Sequence, residues 1–188
     1  MKPFCLVSPS KIIDVWGDAH NVNCITEGGL SNIEVLDLLK EFNDEGGIQL
    51  SDHLYSDVNK KRFYVLWVNG CPVGVLVISI STRFSRNASR IYIEPNAVFI
   101  LEKFRGIRLG ADLSSTVARI VSTELIHKIT KSKLQTGDQL RVTLYADFES
   151  EEGEAFVNIF FYGITDGAFN IVSSNWGLSV NYESDTGY

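Results

Sequence analysis

The sequence is poor in the residues that build several common kinds of site. Its cysteines are Cys5, Cys24 and Cys71. They are odd in number and carry no CxxC spacing, so they read as reduced thiols of a cytoplasmic protein. The three histidines, His20, His53 and His127, are too far apart for metal-ligand spacing, and no metal is expected. No apolar run approaches the roughly 18 residues of a membrane span. The apolar stretch at the start is too short for a secretory signal, so the Asn87-Ala88-Ser89 sequon carries no meaning. Basic charge is also lacking: the net charge is −6 and the pI is near 5.1. Duplex DNA and bulk RNA are therefore poor partners, because their affinity rests on phosphate neutralisation. A cationic substrate is compatible with that balance. There is no G-x-x-x-x-G-K-[ST], no G-x-G-x-x-G and no G-x-S-x-G, which removes the P-loop, the dinucleotide fold and the nucleophile elbow.

What is present is an ordinary globular composition: 188 residues, 45% hydrophobic and 21% charged. That length predicts one domain spanning residues 1–188 with a sizeable core. A short strand is expected at Phe4–Val7, and residues 10–30 are ambiguous. Ser31 can cap a helix, with Glu34 as its capping-box partner, and a shorter helix is expected around Ser51–Val58. Phe63–Val68 and Val73–Ile80 flank Asn69-Gly70, a two-residue type I′ turn, so they form a β-hairpin. Ser81–Arg90 reads as a polar, basic stretch. Ile91–Leu101 reads as a strand with a bulge or edge position at Pro95.

A helix follows from about Arg108 to Thr130, with Leu109, Leu113, Val117, Ile120, Val121 and Leu125 in one stripe. Leu140–Asp147 alternates as a half-buried strand. An acidic loop then carries Glu149, Glu151, Glu152 and Glu154. After it come a helix over Ala155–Tyr162, closing strands at Phe169–Ser173 and Leu178–Tyr182, and a mobile tail over 183–188. The pattern is an α/β (α+β) plan with a mixed sheet, and the long helix makes its flanking strands parallel neighbours. Within the single domain, 1–60 supplies the first strand and substrate-side helices. Residues 61–135 carry the hairpin, strand and long helix, and 136–182 the remaining elements. The apolar C-terminal strands are able to pair between subunits in a homodimer.

The junction before the long helix carries the chemistry. An apolar strand ends at Ile100-Leu101, a basic loop follows, and a helix begins with Leu109-Gly110-Ala111. The leading N–H groups and the positive end of the helix dipole point to one place. With Arg105 and Arg108 beside them, they suit a pyrophosphate. The alternative is a strand-to-helix turn with solvated arginines.

Arg105-Gly106-Ile107-Arg108-Leu109-Gly110-Ala111 resembles the acyl-CoA pyrophosphate loop of the GNAT N-acetyltransferase superfamily, usually written [QR]-x-x-G-x-[GA]. The order of hairpin, strand, long helix, strand and aromatic helix over roughly residues 60–180 is similar too. The fourth loop position, usually Gly, is Arg108; a helical first-turn conformation would tolerate it. The resemblance implies a mostly antiparallel sheet with a splayed parallel pair, and direct attack of an amine on the thioester of acetyl-CoA. It implies that backbone N–H groups near Ile100 and Leu101 receive the pantetheine arm and the acyl carbonyl. Glu94, eleven residues before Arg105, stands where the histone-acetylating branch places its general base. Tyr162, in Phe160-Phe161-Tyr162, stands for the family's general acid, as a buried phenol near the cofactor sulfur. Asn158 is the nearest match to the Asn that opens that segment. The acceptor is then a primary amine on a small molecule or a protein, in the cytoplasm, with no DNA and no membrane involved. A non-catalytic GNAT-like module that senses acyl-CoA or binds a protein is the alternative.

Overall fold

The computed structural model describes residues 11–17, 22–28, 61–85, 89–147 and 150–187. The strand expected at Phe4–Val7 and the helices expected from Ser31 and over Ser51–Val58 lie outside the described residues. The described strands are β1 (Lys11–Gly17), β2 (Val22–Glu27), β3 (Arg62–Val68), β4 (Cys71–Arg83), β5 (Ser89–Ile100), β6 (Gln139–Asp147) and β7 (Ser179–Gly187). They form one sheet in chain order. The helices are α1 (Leu109–Lys131), α2 (Glu151–Ile164) and α3 (Asn170–Trp176). The architecture is the mixed α/β plan expected. Two compact units divide the chain: residues 1–78 with 96–113, and residues 79–95 with 114–188.

In the first unit, β1, β2, β3 and the start of β4 pair antiparallel. Asn69 and Gly70 both have positive φ, at 51° and 79°. That is the turn a type I′ hairpin needs, and its twist matches the strands. Phe63–Leu66 and Val73–Ile78 are buried without a break, so both faces of these strands are covered. The β1–β2 hairpin falls in the stretch the sequence left ambiguous. Its register shifts between Ile12 and Asp14. A bulge of that kind spoils the period of two that marks a strand.

In the second unit, Ser89–Ile93 of β5 runs parallel to Leu140–Leu144 of β6. This is the parallel pair expected across the long helix. The ladder stops at Ile93, two residues before Pro95. Pro95 is buried and the strand runs on through it; its missing N–H takes no bond from the β5–β6 ladder, which has already ended.

Ser150 caps α2, its Oγ accepting from the Gly153 N–H at 3.1 Å. Glu151, Glu152 and Glu154 therefore lie in the first helical turns, where they favour the dipole, and not in a loop. α2 passes into a π-helical turn over Thr165–Phe169 and on into α3. Phe169–Ser173 is thus helical, which corrects the expected strand. Gly177, at φ 64°, ends the run, and its N–H bonds the Ser173 carbonyl. β7 then pairs with β6 in parallel from Ser179 to Gly187. It contains the strand expected at Leu178–Tyr182, starting one residue later, and replaces the expected tail.

By length and composition, Glu151–Trp176 is able to cross a membrane. Its apolarity is also that of a helix whose Phe156, Phe160, Ile164, Ala168 and Phe169 are buried in the protein.

α1 buries Leu113, Val117, Val121, Leu125 and Ile129 along one stripe. Beside it, Ser114, Ala118 and Ser122 repeat every fourth residue and meet α2 at close range. Ser114 Oγ donates to the Phe156 carbonyl at 2.9 Å. A Cβ on Gly163 would lie 2.9 Å from Ala118 Cβ, and one on Gly167 would lie 2.8 Å from Ser122 Oγ.

Candidate functional site

The loop between β5 and α1 belongs to the first unit. The Leu101 N–H donates to the Val73 carbonyl at 2.9 Å. A short 3₁₀ turn, Glu102–Phe104, follows, and the Phe104 and Arg105 N–H groups are used within it. Gly106 then takes a φ of 75° and Arg108 a φ of 68°. The first α-helical bond runs from the Asp112 N–H to the Arg108 carbonyl at 3.0 Å. The N–H groups of Leu109, Gly110 and Ala111 precede that bond and lead the helix. Asp112 is the acidic residue of this first turn.

Arg105 is held in place. Its Nε donates to the Ile100 carbonyl at 2.8 Å, and its guanidinium carbon lies 5.2 Å from the Phe99 ring centroid. The terminal nitrogens remain beyond that bond. Arg105, Gly106, Ile107 and Arg108 are exposed, whereas Leu109 is buried and anchors the helix start. A fixed arginine, a second arginine and three leading N–H groups make a donor-rich cradle of the kind that takes a phosphate group.

Two expectations for this loop are corrected. The Leu101 N–H is already bonded, so it is not an open donor for an acyl carbonyl. Arg108 is not in a helical first-turn conformation but in the left-handed region. For a residue with a Cβ that conformation costs roughly 1–2 kcal/mol. Glycine, usual at this motif position, removes the cost at the expense of a more flexible unfolded chain. Arg108→Gly is therefore expected to leave the unliganded protein equally stable or up to about 1 kcal/mol more stable. Denaturant midpoints check this. A loss beyond 1 kcal/mol would mean that the Arg108 side chain holds the loop.

The other predicted residues belong to the second unit. Glu94 is half-buried on β5, one residue past the last β5–β6 pair. Asn158 and Tyr162 lie four residues apart on α2, hence on one face of it. Both are exposed, Tyr162 to 71%. The buried phenol expected at Tyr162 is thus a surface phenol.

Cys24 is fully buried, and burial, followed by the Asp14 charge, raises its thiol pKa above the ordinary value. It is a neutral packing residue at physiological pH. Among the described residues no three His, Cys, Asp or Glu side chains gather as metal ligands. Reading Phe169–Ser173 as a strand hid one polar group. Asp166 and Asn170 are helical neighbours, joined by an amide-to-carboxylate bond of 2.8 Å. Their spacing of four is the signal that a helical reading would have used.

No family model and no curated protein matches the sequence. Among solved structures, the chain is similar to a ribosomal-protein-alanine N-acetyltransferase from Brucella melitensis biovar Abortus 2308. The identity is 13%, the coverage 71% of this chain and 86% of that one, and the TM-score 0.43. It is also similar to a possible acetyltransferase from Clostridium difficile 630, with 17% identity, 87% and 94% coverage, and a TM-score of 0.42. A third is an aminoglycoside acetyltransferase from an uncultured soil metagenomic sample, in complex with trehalose. There the identity is 11%, the coverage 75% and 86%, and the TM-score 0.40.

Proposed function

We propose that this chain is an acetyl-CoA-dependent N-acetyltransferase of the GNAT type, which moves an acetyl group to a primary amine. The observation that carries the reading is the β5–α1 junction. There Arg105 is fixed by the Ile100 carbonyl and the Phe99 ring, Arg108 stands at the helix start, and the N–H groups of Leu109, Gly110 and Ala111 lead the helix. Gly106 supplies the left-handed turn between the two arginines. These groups fit a pyrophosphate by charge and by donor count.

In this reading the acceptor nitrogen attacks the thioester carbonyl directly in a ternary complex. The C–N bond forms, the C–S bond breaks, and the sulfur leaves as a thiolate. Glu94 takes the proton that the amine loses, and Tyr162 returns one to the thiolate. Asn158, one turn before Tyr162, supports the cofactor arm. Ile100 marks where the strand end meets the thioester, and Leu101 is left out as a donor. The transfer uses no metal, and the protein works in the cytoplasm.

The test is release of free thiol from acetyl-CoA with a panel of primary amines. Amine-dependent thiol release is expected; none with any amine would overturn the reading. A second reading, a non-catalytic acyl-CoA-binding module, is favoured by two observations: the Leu101 N–H is already bonded and Tyr162 is exposed. Binding of acetyl-CoA without thiol release would select it.

A further inference from the structure

The π-helical turn at Thr165–Phe169 carries a polar group that the transfer reaction does not use. π-helical turns are rare and are frequent at functional sites. On this one, Asp166 Oδ1 accepts from Asn170 Nδ2 at 2.8 Å. The Tyr182 ring of β7 and the Phe169 ring meet in a T-shaped pair, with centroids 5.9 Å apart. Phe169 is fully buried, whereas Tyr182 is 43% exposed. Burial, followed by the Asp166 charge, holds the Tyr182 phenol above its ordinary pKa, which puts the carboxylate within electrostatic reach of the ring.

The donors and acceptors of this group are one-sided. The Asn170 amide faces Asp166 with its nitrogen, which leaves its oxygen as an acceptor. Asp166 keeps a second carboxylate oxygen, and the part-exposed Tyr182 ring offers aromatic surface. Among the described residues no cation pairs with Asp166. A carboxylate, an amide oxygen and aromatic surface together suit an alkylammonium ion.

We propose that Asp166, Asn170 and Tyr182 form an ammonium-binding subsite, and that it holds the second charge of a diamine or lysine-type acceptor. The link to acetyl transfer rests on the reading of Tyr162 as the proton donor. Tyr162 stands four residues before Asp166 on the same helical run. A five-carbon diamine is long enough to bridge one helical turn of about 5.4 Å. One nitrogen is then held at Asp166 while the other is presented beside Tyr162.

Two measurements on the full chain test this, and they fail separately. The first omits acetyl-CoA and follows the Tyr182 ring by NMR during titration with butylammonium chloride, with sodium chloride as the comparison. A saturable response is expected, weakened about fivefold or more in Asp166→Asn and partly restored in Asp166→Glu. An equal response to sodium chloride, or one unchanged in Asp166→Asn, would overturn the subsite. The second compares 1,5-diaminopentane with pentylamine as acceptors. The diamine is expected to be preferred about fivefold through KM, and Asp166→Asn is expected to abolish the preference. A preference that is absent, or that survives the substitution, would overturn the diamine assignment. If the chain transfers no acetyl group at all, only the second measurement falls silent, and the first still decides the subsite. Tyr182→Leu, which removes the ring and not the carboxylate, is followed through the Asn170 side-chain amide instead and is expected to bind butylammonium more weakly. Tight binding by that variant would remove Tyr182 from the subsite.

Discussion

Valine in place of Gly163 is expected to destabilise the protein by about 2–3 kcal/mol. A Cβ there would stand 2.9 Å from Ala118 Cβ, against the 3.5–4.0 Å at which carbon atoms attract. α1 and α2 must separate, or the buried side chains of α2 must give way. Alanine meets the same wall but gains about 1 kcal/mol of helix propensity over glycine, so its net loss is smaller. Ala118→Gly opens the space from the other side. Alone it costs about 1 kcal/mol in propensity. Combined with Gly163→Ala it should cost less than the two losses added, with a coupling of at least about 0.5 kcal/mol. Denaturant midpoints of the four proteins measure this. Strict additivity would mean that the two helices do not meet at these residues.

Glu94→Gln is expected to lower kcat by about a hundredfold or more, the usual contribution of a general base. The pH profile separates loss of a base from loss of fold. An alkylamine is mostly protonated below its pKa, near 10.4 for a lysine-type nitrogen. Without a base, only the amine already neutral reacts, and its fraction grows about tenfold per pH unit until that pKa. The variant's rate should therefore keep climbing with pH while the wild-type rate levels off. A variant with wild-type rate and profile would remove Glu94 from the mechanism.

The parts of the fold legible in the sequence were those in which local chemistry and tertiary packing agree. Asn69-Gly70 adopts the positive φ pair its residue types favour. β6 alternates because one of its faces is buried. Leu109, Leu113, Val117, Val121 and Leu125 mark α1 because they are its buried stripe. The failures came where a long-range contact decides. Gly163 and Gly167 look like helix breakers, yet they sit inside a helical run because α1 comes too close for a Cβ. Phe169-Asn170-Ile171-Val172 has strand propensity, and burial of Phe169 and Val172 on a helix overrides it.

At the candidate site, the arginines and glycines of the loop were readable as residue types. Their conformations were not. Nothing in Arg105–Ala111 tells a helical Arg108 from a left-handed one, and nothing in Leu101 shows that the Val73 carbonyl takes its N–H. Both depend on how the strand end and the helix start are held apart by the intervening 3₁₀ turn.

Binding of acetyl-CoA at the β5–α1 junction is read directly by thermal unfolding with and without the ligand. At 100 times Kd, the ligand should add about 2.7 kcal/mol. For a chain of this size that raises Tm by roughly 5–10 °C. A rise of that order, smaller in Arg105→Ala, is expected. An unchanged Tm at millimolar acetyl-CoA, or an equal rise in Arg105→Ala, would contradict binding at the junction.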